Sequence, residues 1–255
     1  MMQYIIYIII IILIMILLNK LIFNENKTFL FTQNENKYTA IIIEPREHKA
    51  LLFVLENFIE NLSNEWNFII FHGNKNYNFL NNILNSSNLL KNNIHKIKLF
   101  NINVDNLSIQ DYNNILVSKE FYNYIPTETF LIFQTDTMIC PENKHLINDF
   151  IKYDYVGAPW SFGVGNGGLS LRKKSKMLEI INNNIYNNEN EDIFFTHNNT
   201  RMNIPSLDDA KKFSVESIYN YNSFGVHKLW WYLDKKLINE KNNCCSGLKQ
   251  LIELN

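Results

Sequence analysis

Apolar residues along this chain fall in blocks whose period changes from one block to the next. The run YTAIIIEPR, Tyr38 to Arg46, is continuously apolar and closes in a polar turn, as a strand buried on both faces does. Next, HKALLFVLENFIENLS places Leu51, Leu52, Leu55, Phe58, Ile59 and Leu62 at helical spacing, and WNFIIFHG, Trp66 to Gly73, is a second apolar run closed by glycine. Strand, helix and strand over about 35 residues make a βαβ unit with an expected right-handed crossover. The same pattern predicts a helix over Asn76–Leu90, a strand over Lys96–Phe100, a helical segment over Ile109–Tyr124 and a fourth, most apolar strand over Thr129–Gln134. Runs of this kind predict a mostly parallel sheet with helices on both faces and an antiparallel addition beyond it. Ligands of open α/β sheets sit outside the carboxyl ends of the strands. The stretch LIFQTDTMIC stops at such an end, with a single acid, Asp136, at its tip.

The first block has no period. Tyr4 to Leu18 carries no charge, and after Asn19 and Lys20 the run resumes at Leu21-Ile22-Phe23. About 20 apolar residues span a bilayer core, so the stretch to Phe23 suffices with Lys20 reaching for the interface. A cleaved signal peptide is the rival, but no basic region precedes the run and no small-residue cleavage site follows it. The expected organisation is a membrane anchor over 1–23, a polar stalk over 24–37, one α/β domain over 38–243 and a C-terminal tail over 244–255. Localisation follows as single-pass membrane. Lys20 and Lys27 after the span favour a cytosolic body, and the orientation stays open.

The 255 residues carry 24 basic and 25 acidic side chains, a formal net charge of −1, so no broad basic footprint for nucleic acid exists. The three cysteines, Cys140, Cys244 and Cys245, form no CxxC pair and no zinc spacing, and are expected as free thiols in a reduced setting.

Three further features carry candidate chemistry. Five of the eight glycines fall between Gly157 and Gly168. Glycine concentrates where the backbone comes close to something or takes positive φ, although a tight hairpin would explain the run as well. It is neither a Walker loop nor a dinucleotide fingerprint. NENEDIFF sets Glu191 and Asp192 ahead of an apolar pair, where they either cap a helix or do chemistry. SFGVHKLWWYL places His227 and Lys228 on a loop before two tryptophans. One explanation covers all of them. A nucleotide-diphosphate sugar needs a divalent cation with oxygen-rich ligation, close backbone, and a carboxylate to take a proton from an incoming hydroxyl.

Taken in order, AIIIEPR, EWNFIIFHG, FLIFQTDTMI, DFIKYDYVGAPW, VGNGGLSLR, EDIFF, IPSLDDAKKFSVES and FGVHKLW resemble a family of glycosyltransferase-like proteins catalogued mainly as a domain of unknown function. The resemblance runs from about Tyr38 to Leu233 and implies a single GT-A-like (Rossmann-like) α/β domain that binds nucleotide sugars. It implies that Gln134-Thr135-Asp136 stands where GT-A enzymes carry D-x-D, with Gln134 as ribose contact and Asp136 as ligand of Mn2+ or Mg2+. It implies Asp192 or Glu191 as base, His227 as second metal ligand and Lys228 as diphosphate contact. Gly167 and Gly168 would shape the acceptor side, with Trp160 either a sugar-stacking platform or simple packing. The partners implied are a nucleotide-sugar donor, a glycan, protein or lipid acceptor, and a membrane through the N-terminal helix. Two other classes compete: a catalytically inactive GT-A-fold protein that binds a glycan or nucleotide, which the missing first acid favours, and a nucleotidyltransferase, which a basic glycine-rich signature near the first strand would favour and which the sequence lacks.

Overall fold

The structure, a computed structural model, describes residues 36–197 and 201–255. The anchor expected over 1–23 and the stalk up to residue 35 lie outside those residues. Among the described residues no helix is long and apolar enough to cross a membrane.

In chain order the strands are β1 (Tyr38–Ile43), β2 (Trp66–His72), β3 (Ile97–Asn101), β4 (Thr129–Ile132), β5 (Thr137–Ile139), β6 (Tyr155–Gly157), β7 (Pro159–Trp160), β8 (Gly163–Val164), β9 (Ser170–Lys173), β10 (Ser214–Val215) and β11 (Gly225–His227). Six of them form one sheet in the order β3-β2-β1-β4-β9-β6. β1 pairs in parallel with β2 and β4, and β2 with β3, whereas β9 runs antiparallel to β4 and β6. The three apolar runs at Tyr38, Trp66 and Thr129 are therefore neighbours, as their patterns predict.

The reason for unbroken apolar runs is plain in the packing. Ala40, Ile42, Phe68, Ile70 and Leu131 enter the core on one face of the sheet, and Ile41, Ile43, Ile69, Phe130 and Ile132 enter the core on the other. Successive strand residues point to opposite faces, so burial on both sides requires apolar residues at every position. The helix Leu51–Asn61 covers the first face with Leu51, Val54, Leu55, Phe58 and Ile59. Its polar Asn57 is buried as well, because its side chain donates to the Ile139 carbonyl at 3.0 Å and accepts from the Ile139 amide at 2.8 Å. The helix thus satisfies the backbone of β5, the strand that begins one residue after Asp136.

Several expectations are corrected. The helix expected over Asn76–Leu90 is two helices, Tyr77–Ser86 and Asn88–Asn92, and the segment Ile109–Tyr124 breaks into Ile109–Leu116 and Lys119–Asn123. In each case a serine starts a new helix: Ser87 Oγ accepts from the Leu90 amide and Ser118 Oγ from the Phe121 amide, both at 3.3 Å. The tail expected over 244–255 is part of the domain, since the helix Leu248–Glu253 buries Leu248 and Leu251 in the main core. The cysteines are not all free thiols. Cys140, directly after β5, is joined to Cys245 by a disulfide with Cα atoms 4.4 Å apart, and Cys244 alone remains a thiol.

The disulfide spans 105 residues of sequence, so it removes much freedom from the unfolded chain. Cys245→Ser should lower unfolding free energy by about 2–4 kcal/mol in denaturant titration, and a reductant should weaken the wild type but not the variant. Equal stability with and without reductant would remove the crosslink from this account.

Candidate active site

Asp136 and His227 are brought together by strand register. β5 and β11 pair antiparallel with His227 against Thr137, Val226 against Met138 and Gly225 against Ile139. Asp136 therefore faces the chain just where it leaves β11, and the Lys228 amide donates to the Asp136 carbonyl at 2.9 Å. Ahead of Asp136 the chain turns tightly: Thr137 Oγ1 donates to the Gln134 carbonyl at 2.7 Å. Lys228 has φ 30° and ψ 36°, a left-handed conformation that costs a non-glycine residue on the order of 1–2 kcal/mol. Such strain persists where surrounding contacts fix it, and it collects at functional sites.

His227 Nε2 stands 3.5 Å from Asp136 Oδ1, and Nδ1 stands 3.2 Å from Glu216 Oε1. Glu216 is buried, its Oε1 lies 3.7 Å from Lys228 Nζ, and both its oxygens accept from Asn166 Nδ2, at 3.1 and 3.0 Å. Burial works against charge on both members of the Asp136–His227 pair. Even so, His227 and then Lys228 hold the Asp136 carboxyl below its usual range, and the Asp136 and Glu216 carboxylates raise His227. The Asp136–His227 contact lacks hydrogen-bond geometry: Asp136 Oδ1 and both ring nitrogens are buried without a hydrogen-bond partner.

The glycine-rich loop fits over these groups. A Cβ on Gly168 would lie 2.3 Å from the His227 ring, and one on Gly167 would lie 2.1 Å from Glu191 Oε1, so both positions need the bare backbone. The Gly168 amide donates to Asn166 Oδ1 at 3.0 Å and the Gly167 amide to Asp192 Oδ2 at 3.1 Å. Glu191 and Asp192 open the helix Glu191–His197 and point different ways. Glu191 is buried with both oxygens on Arg172, at 2.6 and 2.9 Å, and the Arg172 guanidinium lies 4.8 Å from the Tyr155 ring centroid. Asp192 is only partly buried, and burial first, then the neighbouring Glu191, pushes its carboxyl up to about 6. The catalytic role expected of Glu191 is thus closed off, because its carboxylate is committed to a structural ion pair.

A cleft of about 460 Å3 at the carboxyl ends of the parallel strands collects the remaining parts, a size suited to a small ligand. Gln134, Asp136, Gly167, Gly168, Asp192, His227 and Lys228, the residues singled out in the sequence, all line it, as does Glu191. Trp160 does not. It stacks on Phe162, with ring centroids 5.3 Å apart, in the β7–β8 hairpin. Arg46, which no sequence pattern singles out, has its Nε and Nη2 each donating at 2.8 Å to the buried Glu44 just past β1. Both line the cleft, so a guanidinium is held in place at its wall.

Two cis ligands on a cation with bonds of about 2.1 Å stand roughly 3.0 Å apart, so the 3.5 Å between the unpartnered Asp136 Oδ1 and His227 Nε2 fits a divalent cation with slight opening. Among the described residues no group of three or more His, Cys, Asp or Glu side chains is arranged to hold a metal. A cation on this pair would take its other donors from a ligand and water.

The chain belongs to the family described as "Protein of unknown function (DUF5672)", which matches residues 95–227, just over half of it. No curated protein matches the sequence. Among solved structures it is similar to the galactosyltransferase LgtC in complex with donor and acceptor sugar analogues, at 11% identity and a TM-score of 0.49, over 85% of this chain and 94% of that one. It is also similar to residues 1–349 of TarS from S. aureus in complex with UDP-GlcNAc, at 11% identity and a TM-score of 0.48, over 86% of this chain and 70% of that one. A third is the mannosyltransferase PcManGT from Pyrobaculum calidifontis in complex with GDP-Man and Mn2+, at 10% identity and a TM-score of 0.44, over 63% of this chain and half of that one.

The adjacent acids should separate in a stability measurement. Arg172→Ala strands a buried carboxylate and should cost about 3–5 kcal/mol in denaturant titration. Asp192→Asn at pH 7 should leave stability unchanged or raise it. A carboxyl raised to about 6 in the fold stabilises the protein only when protonated, and that contribution is lost as pH rises through 6. Equal losses in the two variants would contradict the division of roles.

Proposed function

We propose that the protein is a glycosyltransferase that moves a sugar from a nucleoside-diphosphate donor to an acceptor hydroxyl. The observation that carries this reading is the placing, in one cleft at the strand ends, of the Asp136–His227 pair and a carboxyl tuned close to neutrality at Asp192. A general base works best with a pKa near the working pH, and Asp192 meets that condition. Asp192 takes the proton from the acceptor hydroxyl as the oxygen bonds the anomeric carbon. The bond from that carbon to the diphosphate breaks, and the nucleoside diphosphate departs with the electron pair. Lys228, on its fixed left-handed backbone, faces the departing charge, and Gln134 binds the donor ribose. Asp136 and His227 would hold Mn2+ or Mg2+, which neutralises the diphosphate.

The test is release of nucleoside diphosphate from a panel of UDP- and GDP-sugars with Mn2+. The expected result is turnover with at least one donor, a kcat/KM that falls tenfold per pH unit below about 6, and loss of nucleoside-diphosphate binding in Asp136→Ala with stability nearly unchanged. Gln134 in place of a first acid favours a second reading, a protein that binds the donor without turnover. Binding without release from any donor would select it, and a large loss of stability in Asp136→Ala would mark that residue as structural.

We further propose that residues 1–23 anchor the protein and that the domain lies on the non-cytosolic side. A disulfide between Cys140 and Cys245 supports an oxidising compartment, against the pull of Lys20 and Lys27. Recovery of the full chain in the soluble fraction without detergent would sink the anchor.

A further inference from the structure

Glu216 is a carboxylate with 2% relative exposure, and it has no place in the reaction described above. Burying a carboxylate is costly unless its lone pairs are filled. Asn166 Nδ2 fills one site on each oxygen, and Lys228 Nζ, at 3.7 Å, is beyond hydrogen-bond range. The nearest remaining group is His227 Nδ1 at 3.2 Å. That contact lacks hydrogen-bond geometry and acts through charge: a lone pair on Nδ1 would face the carboxylate with like polarity, whereas a proton there faces it with opposite polarity. The ring also has a carboxylate on its other side, since Asp136 Oδ1 is 3.5 Å from Nε2. Glu216 wins the proton of the neutral ring because it is closer and its side chain is 2% exposed, against 26% for Asp136, so less solvent weakens its pull.

We propose that Glu216 is the positioning residue of the cleft: it holds His227 with Nδ1–H toward itself and the Nε2 lone pair toward Asp136, and through Asn166 it holds the glycine loop on the same ring. The loop half rests on contacts already described. Asn166 Oδ1 accepts from the Gly168 amide, and Gly168 lies directly on the imidazole with no room for a Cβ. One carboxylate therefore sets both the ring orientation and the backbone that covers it. A carboxylate on the far nitrogen of a ligating histidine fixes the tautomer and raises ligand basicity, and its loss typically weakens metal binding 10–100-fold.

The metal half of this inference rests on the proposed function, and the tautomer half does not. Nitrogen-15 NMR of the full chain without metal, with the ring neutral, reads the tautomer directly. The wild type is expected to show Nδ1–H at His227, and Glu216→Gln, which keeps the shape and removes the charge, is expected to shift the population toward Nε2–H. Titration with Mn2+ alone should give a dissociation constant 10–100-fold weaker in Glu216→Gln than in wild type, and partly recovered in Glu216→Asp. A wild-type spectrum with the proton on Nε2 overturns the proposal even if no variant folds, and so does an unchanged tautomer in Glu216→Gln. The expected tautomer shift in a wild type that binds no Mn2+ would leave Glu216 as positioning residue and defeat the metal part of the proposed function instead.

Discussion

The antiparallel register of β5 on β11 sets His227 against Thr137, and the site depends on that pairing. A shift by one residue would turn every side chain of a strand to the opposite face, which would take His227 away from Asp136 and Val226 out of the core. The register is held from several directions at once. Asn57 bonds both backbone groups of Ile139, the Cys140 amide donates to the Phe224 carbonyl at 2.8 Å, and the Cys140–Cys245 disulfide ties the end of β5 to the turn ahead of the last helix. Three parts of the chain far apart in sequence thus converge on a strand of three residues. The strained Lys228 and the buried His227 are both consequences of that grip.

The electrostatics follow from which charges are filled. Glu191 and Asp192 are adjacent, yet one is closed by Arg172 and the other is left beside the cleft with its carboxyl raised to about 6. Environment separates two chemically similar groups into a structural ion pair and a group able to accept a proton near neutrality. The Asp136–His227 pair is the opposite case, because its facing atoms lack hydrogen-bond partners, and the outer nitrogen, 3.2 Å from Glu216 Oε1, lacks one as well. Facing atoms of that kind favour a cation between them. Arg46, clamped by Glu44, adds fixed positive charge at the wall of the same cleft.

Much of the fold is legible in the sequence because burial on both faces of the sheet leaves unbroken apolar runs, and Tyr38, Trp66 and Thr129 begin three such runs. Helix breaks at Ser87 and Ser118 are not, since the apolar spacing continues across them and only the serine caps interrupt the backbone. The disulfide could not be read because adjacent Cys244 and Cys245 give two possible partners for Cys140, and side-chain direction decides between them. Asp136, Asp192, His227 and the glycines stand out by position along the chain. Glu216 does not: in FSVES it resembles any surface acid, and its role exists only because β10 delivers it beneath His227. The choice between Glu191 and Asp192 likewise needs Arg172, which no local pattern places beside them.

The central claim is that Asp136 Oδ1 and His227 Nε2 are a cation-binding pair facing a diphosphate in this cleft. Anomalous diffraction from crystals soaked with Mn2+ and UDP tests it most directly. The account predicts a manganese peak within bonding distance of both atoms, with diphosphate oxygens completing its coordination toward Lys228. A diphosphate bound elsewhere, or one bound in the cleft with no manganese between Asp136 and His227, would contradict it.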